Sequence, residues 1–292
     1  MRYVAAALVL ALYVVTTSAQ AVPAAGQTPR FEVASVRKVD PDGRDAPIMV
    51  IDGMRRGSRW VAENATAFSL LRHAFRLDFP SPAQFVGGPT WLDVERFTIG
   101  ATFQGEPREP ELRSMVQSLL TERFRLVTHV ERREIPVYRL MLARQDRQPA
   151  KGLELLRDID CDAVRANHGD GKPLDWTNGP PLCMSSSMFG PVSEVQTGGM
   201  TLRQFAAMLQ EHLGRPTDDA TELTGHYRFT LRFTGVPGAG RSLVGLSNDA
   251  VNDVEVPSLF DALGEQLGLK LESAKETRNV LVIDSIERPT PD

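Results

Sequence analysis

Short amphipathic helices alternate with strand-like segments along this sequence, and this alternation restricts the fold more than any other feature. One helix is predicted over residues 109–124, where apolar side chains recur at spacings of three and four and form a single stripe (Leu112, Met115, Val116, Leu119, Leu120 and Phe124). Another is predicted to begin after Thr201, a favourable N-cap, and to end at Gly214. With similar stripes after Asn64 or Thr66 and after Ser258, the sequence predicts an α+β fold of four repeated helix–strand–strand units.

Each predicted helix is followed by segments whose apolar residues alternate or cluster as they do in strands. The second unit is predicted to have strands at 125–133 and 137–143 that join near Pro136, and the fourth to have two strands within 269–283. Residues 40–58, which contain Gly, Asp, Arg and Pro without a period, are predicted to be mostly loop. The units form two predicted α/β subdomains with a disulfide-bonded loop insertion between them (31–144 for the first, 145–190 for the Cys-containing insertion, 191–292 for the second).

The start of the chain has the pattern of a secretory signal peptide. Arg2 supplies a positive charge, residues 4–15 are apolar without interruption, and residues 19–21 (Ala-Gln-Ala) fit the small-x-small cleavage pattern. The sequence therefore predicts a signal peptide over 1–21, a linker over 22–30, and export to the periplasm or the medium. The alternative is an uncleaved anchor. No later segment has the roughly 18 apolar residues of a membrane span, so we expect no stable span after cleavage.

The chain contains only two cysteines, Cys161 and Cys183, on either side of a polar segment rich in Gly, Pro, Asn and Asp. An exported protein meets an oxidising compartment, where a disulfide persists. A bridge between them is predicted to stabilise the fold by about 3 kcal/mol, by restricting the unfolded chain. The alternatives are a redox pair or a metal site. The sequence has no Cys-x-x-Cys, and His168 alone cannot complete a tetrahedral site.

Charge and motifs argue against several classes of function. The formal net charge is −4, and no basic stripe with interleaved aromatic residues occurs, so nucleic-acid binding is not expected. The glycines at 235–240 do not have dinucleotide-binding spacing, and the segment around Ser242 is one residue too long for a nucleophile elbow. The acidic residues at 158–162 lack the Gly and Glu of a calcium-binding EF-hand loop. No catalytic residue, cofactor or metal site is therefore predicted.

Two loops are the candidate contact surface. The Cys161–Cys183 loop contains Trp176 and Asn178, and an exposed aromatic side chain on a disulfide-bonded loop is typical of a protein contact. Packing of Trp176 within the loop is the alternative interpretation. The second loop, 235–257, contributes two polar residues to the candidate surface (Asn248 and Asp249).

A series of longer motifs runs through the predicted mature chain (Phe31–Val36, Gly87–Leu92 with Phe97–Ala101, Leu119–Phe124 with Glu134–Tyr138, Leu223–Tyr227, and Ser258–Leu271 with Val282–Asp284). Together they resemble an uncharacterised, soil-associated family of exported bacterial proteins, a domain of unknown function, over residues 31–290. The resemblance implies secretion and a repeated α/β structure. In some relatives a similar domain is joined to a membrane metallopeptidase of the antibiotic-sensor type, but this chain has no His-Glu-x-x-His motif.

The repeated units also resemble the short N-terminal domains of secretins and TonB-dependent receptors, which are protein-interaction modules. The leading hypothesis is therefore an exported, non-catalytic interaction or binding module of the cell envelope, whose partner is an envelope or extracellular protein. Two alternatives stay open: a secreted hydrolase whose site no local motif reveals, and a ligand-sensing domain of an envelope signalling system.

Overall fold

In the part of the chain that the structure describes, five α-helices pack against three four-stranded sheets, which confirms the predicted α+β class. This computed structural model describes the residues of eight ranges (28–40, 51–76, 78–144, 150–167, 175–177, 179–188, 192–234 and 256–290). The strands are β1 (Val33–Lys38), β2 (Ile51–Arg56), β3 (Arg59–Thr66), β4 (Phe85–Gly87), β5 (Arg96–Thr102), β6 (Val127–Leu142), β7 (Glu154–Leu156), β8 (Ser185–Met188), β9 (Val192–Met200), β10 (Thr217–Asp219), β11 (His226–Thr234) and β12 (Leu269–Ser285). The helices are α1 (Ala67–Phe75), α2 (Glu109–Arg123), α3 (Cys161–Asn167), α4 (Leu202–Leu213) and α5 (Leu259–Ala262), the last continued by a π-helical turn (Leu263–Leu267).

The three sheets differ in their strand pairing. Sheet A has the order β1-β5-β3-β2 and sheet C the order β7-β11-β9-β8, and every pair in both sheets is antiparallel. Sheet B has the order β10-β6-β12-β4. Its long central strands, β6 and β12, pair antiparallel along nearly their whole length, while the short strands β10 and β4 pair in parallel on their outer sides.

The prediction of separate strands on either side of Pro136 and within 269–283 is wrong, because β6 and β12 are each continuous. The Tyr138 N–H donates to the Pro216 carbonyl at 2.8 Å, on the β10 side of β6. Since backbone groups alternate sides along a strand, the nitrogen of Pro136 faces that same outer side. Its missing N–H therefore removes no hydrogen bond to β12, and Pro136 lies opposite Lys275 within the paired strands.

Two apolar cores lie at opposite ends of the paired β6 and β12. The first joins sheet A to α1 and α2 and includes Ile283 near the end of β12. The second joins sheet C to α4 and α5 and includes Leu140 and Leu269 at the other end. The predicted stripe of α2 faces the first core, with most of its residues buried (Leu112, Val116, Leu119, Leu120 and Phe124) and Met115 partly buried.

The elements of the chain follow the same order on both sides of residue 150. In each half a strand leads into a helix, a short strand, a longer strand, a second helix and a long strand of sheet B (β3-α1-β4-β5-α2-β6 and β9-α4-β10-β11-α5-β12). In each half the strand before the first helix pairs with the longer strand that follows the short one, β3 with β5 and β9 with β11. The predicted series of four helix–strand–strand units is not confirmed, since β6 and β12 are single strands.

The predicted disulfide joins Cys161 to Cys183, and both residues are buried. Cys161 begins α3, and the segment around Cys183 pairs with β9 at Gly198. The Cys183 N–H donates to the Gly198 carbonyl at 2.9 Å, and the Gly198 N–H donates to the Met184 carbonyl at 2.8 Å. Strands β7 and β8, which fall within the predicted insertion, form the two edges of sheet C. The sequence pattern predicts neither these two strands nor β9, β10, α3 and β2, and β2 falls in the predicted loop 40–58.

Candidate functional site

The outer face of sheet A forms a cationic concave surface. Alternation along β1, β3 and β5 turns every second side chain inward, where Val36, Trp60 and Ile99 are buried in the first core. The intervening residues face outward, so Arg37 and Arg59 project from the sheet into solvent. The alternation that builds the core therefore also builds this exposed polar face.

Gly100, on β5, lies at the centre of the face. The strand register arranges its neighbours in three rows across β1, β5 and β3 (Arg37 beside Thr98; Ser35, Gly100 and Val61; Thr102 beside Arg59). Arg37 and Arg59 belong to the two outer rows and to different strands. They therefore flank Gly100 diagonally from opposite directions.

A cleft of about 360 Å³ opens over Gly100. It is lined by residues of four strands (Ser35, Arg37, Arg56, Arg59, Val61, Glu63, Thr98 and Ile99). A Cβ atom on Gly100 would lie 3.0 Å from Nη2 of Arg59 and 3.8 Å from Oγ of Ser35. The cleft therefore depends on the absence of a side chain at this position, since any larger residue would occupy the space that Arg59 approaches.

The cleft carries an excess of positive charge. Its lining contains three guanidinium groups and one carboxylate, which give a formal charge of +2. The carboxylate of Glu63 is engaged by Arg56, with 3.1 Å between Nη1 and Oε1. Arg37 and Arg59 have no hydrogen-bond or ion-pair partner for their side chains among the residues that the structure describes. Two guanidinium groups are thus available to an anionic ligand.

The corresponding outer face of sheet C has its arginines neutralised. Arg232 on β11 lies 3.0 Å from Glu194 on β9, and Arg228 on β11 lies 3.9 Å from Glu154 on β7. Between these two arginines β11 carries Thr230, a residue with a side chain, where the centre of sheet A has glycine. Two sheets with the same strand order therefore differ in the charge that their outer faces offer.

The sequence-predicted contact residues lie elsewhere or outside the described residues. Trp176 is half-buried, and its carbonyl accepts from the Gly179 N–H at 3.3 Å. Beside it the Asp175 carboxylate accepts from the hydroxyl and the N–H of Thr177, and these hydrogen bonds lower the pKa of Asp175. The other three members of the predicted surface (Asn178, Asn248 and Asp249) and most of the 235–257 loop lie outside the described residues, as do residues 1–27.

His129 forms a structural pair with an acidic side chain. Nδ1 of His129 on β6 lies 2.9 Å from both carboxylate oxygens of Asp284 on β12, a pair that links the two long strands.

No group of three or more His, Cys, Asp or Glu residues in the described ranges could hold a metal ion. Among the helices described, none is both long enough and apolar enough to cross a membrane.

Glu95 has a perturbed pKa for a structural reason. Nε and Nη2 of Arg288 lie 2.9 Å and 2.8 Å from Oε1 of Glu95, and Nζ of Lys38 lies 3.0 Å from Oε2. These contacts hold the pKa of Glu95 below its ordinary value. The Arg288 guanidinium also lies over the Trp91 ring, 5.2 Å from its centroid. Glu95 therefore fixes the C-terminal segment to the first core, and its charge is already satisfied.

The cleft was not found from the sequence, although one signal pointed towards it. Ser35 and Arg37 lie on β1 and Gly100 on β5, so their proximity depends on the pairing of these two strands. Glycine inside a strand marks a place where a ligand or another group approaches the backbone closely, and Gly100 is such a residue. The sequence predicts a loop at Arg56, and a loop gives no reason to expect its pairing with Glu63.

A family model described as a protein of unknown function (DUF3738) matches residues 69–286. No curated protein and no solved structure shows a significant match to the chain. The match extends from α1 to the end of β12 and therefore includes most of both cores, as well as the part of the cleft that β5 provides.

Proposed function

Since the chain belongs to the DUF3738 family, whose description assigns no activity, we propose its function from its own site: an exported, non-catalytic binding module of the cell envelope. It captures an envelope or extracellular protein by binding an acidic segment of that partner on the outer face of sheet A. The observation that carries the proposal is the pair of arginines, Arg37 and Arg59, that lack an acidic partner among the described residues and line one cleft.

Guanidinium groups of this kind favour a carboxylate ligand. Arginine presents a planar set of N–H donors that matches the two oxygens of a carboxylate, and such charge-assisted hydrogen bonds are stronger than neutral ones. An uncompensated positive face also attracts acidic partners over distance and speeds their association. The pairing of Arg228 and Arg232 on sheet C supports the proposal, because there the same residue type serves only to hold strands together.

The cleft suits binding better than catalysis. A hydrolase would need a base to activate the hydroxyl of Ser35 or Thr98, and Glu63, the carboxylate in the lining, already accepts from Arg56. The remaining groups offer charge, hydrogen bonds and the apolar surface of Val61. These are groups that hold and orient a ligand.

Export and the envelope location are part of the same proposal. The buried Cys161–Cys183 bridge supports them, since disulfides persist in oxidising compartments. The shared order of elements in the two halves supports an internal repeat of one α/β unit, and the resemblance to secretin and TonB-receptor domains agrees with an interaction module. The Cys161–Cys183 loop is proposed as a second contact surface, since part of it, including Asp175, is exposed.

The test is cross-linking of the tagged mature protein in native envelope and medium, followed by mass spectrometry of the captured proteins. We expect one reproducible partner with the native chain and its loss with the double variant Arg37→Gln/Arg59→Gln, because the two free charges are removed. The matched control is Arg228→Gln/Arg232→Gln, which removes the same charge from sheet C and should capture normally. Equal capture by both double variants would contradict the proposed surface, and loss only on deletion of the Cys161–Cys183 loop would place the contact there.

A further inference from the structure

We propose that the space over Gly100 holds a single carboxylate group of the partner, from an aspartate or glutamate side chain; this space is called the Gly100 seat. The inference rests on the proposed function and names the chemical group that the same face recognises. The register of β1, β5 and β3 places Gly100 between the row of Arg37 and the row of Arg59.

The seat lies within reach of donors from two sides. Same-face neighbours along a strand are about 6.6 Å apart, so the Arg37 and Arg59 backbones each stand one such step from the Gly100 row. Arg59 already extends into the seat, with Nη2 at 3.0 Å from the position of a Gly100 Cβ. The Ser35 hydroxyl lies 3.8 Å from that position. A carboxylate there can accept from the Arg59 fork on one side and from Ser35 on another, with Arg37 adding charge.

The surroundings favour a carboxylate that is attached to a short carbon chain. Val61 lies directly beside Gly100 on β3, so it offers an apolar surface to the methylene groups of an aspartate or glutamate. The formal charge of +2 exceeds that of one carboxylate, so a second acidic residue of the segment can pair with the remaining arginine. An extended acidic segment therefore fits the face better than an isolated anion does.

Gly100 offers a sharp test, because its backbone does not require glycine. It has no positive φ, and the one close atom that a Cβ would meet is the mobile end of Arg59. Valine is favourable in strands and would fill the seat. Gly100→Val is therefore expected to fold normally and to lose the ligand. The matched control is Thr102→Val, which places the same side chain on the same face of β5 but outside the lining of the cleft.

The experiment is isothermal titration of the mature protein with a capped peptide of alternating Ser and Glu residues, and with its Ser and Gln counterpart. We expect binding of the Glu peptide alone, a loss of affinity of about tenfold or more in Gly100→Val, and native affinity in Thr102→Val. Thermal unfolding of each variant checks the fold. Sodium acetate should compete with the peptide more effectively than inorganic phosphate at equal ionic strength.

The outcomes separate the seat from the proposed function. Native affinity in Gly100→Val, together with loss in Arg37→Gln/Arg59→Gln, would overturn the seat and leave the binding face in place. Stronger competition by phosphate than by acetate would also overturn the choice of a carboxylate. If the native protein binds neither peptide, or binds both equally, recognition of an acidic segment fails, and the seat fails with it.

Discussion

Replacing Gly198 by alanine is expected to lower the free energy of unfolding by about 3 kcal/mol or more. Gly198 lies on β9 beside the segment that leads to Cys183, and a parallel bridge pairs it with Leu182. A Cβ atom there would lie 2.0 Å from the carbonyl oxygen of Pro181 and 2.8 Å from that of Pro180. Both obstacles are backbone atoms, so they cannot move aside as a side chain does. Equilibrium denaturation in urea under oxidising conditions measures the loss.

The hydrogen bonds around Gly198 explain why this segment cannot simply shift. Gly198 exchanges backbone hydrogen bonds with Cys183 and Met184, and the bridge to Cys161 restrains Cys183 further. The control is Gly264→Ala in the π-helical turn, where the nearest atom would be 3.8 Å from the new Cβ. We expect it to change stability by no more than about 1 kcal/mol. Equal denaturation midpoints for the two variants would contradict the close approach of the Pro181 carbonyl to Gly198 on β9.

Replacing Phe97 by alanine is expected to cost about 3–5 kcal/mol of stability. Phe97 is 1% exposed on the inner face of β5, and its ring lies edge-on to Phe124 and Trp91, with centroids 5.3 Å and 6.3 Å away. The substitution removes these contacts and leaves a cavity where α2, β5 and the Thr90–Asp93 turn meet. Urea denaturation followed by tryptophan fluorescence measures the effect, since Trp60 and Trp91 both lie in the first core.

Phe260 supplies the matched control for Phe97. It is 46% exposed on α5, and its ring contacts Tyr138 with centroids 5.9 Å apart. Nearly half of its surface is already in water, so Phe260→Ala should cost about 1 kcal/mol or less. If both phenylalanine variants lose the same stability, the assignment of Phe97 to the centre of the first core is wrong.

The helices could be predicted from sequence because their signals are local. The stripe of α2 and the cap and stop of α4 each lie within about four turns of chain, and both helices form where the pattern indicates. The disulfide could also be predicted, since the chain has only two cysteines. Local spacing was enough for these features, because the residues that decide them are close together in the chain.

The pairing of strands could not be predicted in the same way. Pro136 indicates a break, yet β6 runs through it, because its partner β12 pairs on the side of the strand that the proline nitrogen does not face. This partner lies more than a hundred residues away, so no local pattern reveals the pairing. The cleft depends on the same kind of information. Gly100, Ser35 and Val61 form one row only once β1 and β3 have paired with β5, and no pattern within one strand sets that register.

The central claim is that the outer face of sheet A binds an acidic segment, and amide chemical-shift mapping tests it most directly. The isotope-labelled mature protein would be titrated with the Ser and Glu peptide, and the shifts assigned to residues. If this claim holds, the largest changes in amide shift fall on the outer face of sheet A, at Ser35, Arg37, Arg59 and Gly100, and added salt reverses them. Changes confined to the Cys161–Cys183 loop around Trp176, with sheet A unaffected, would contradict it.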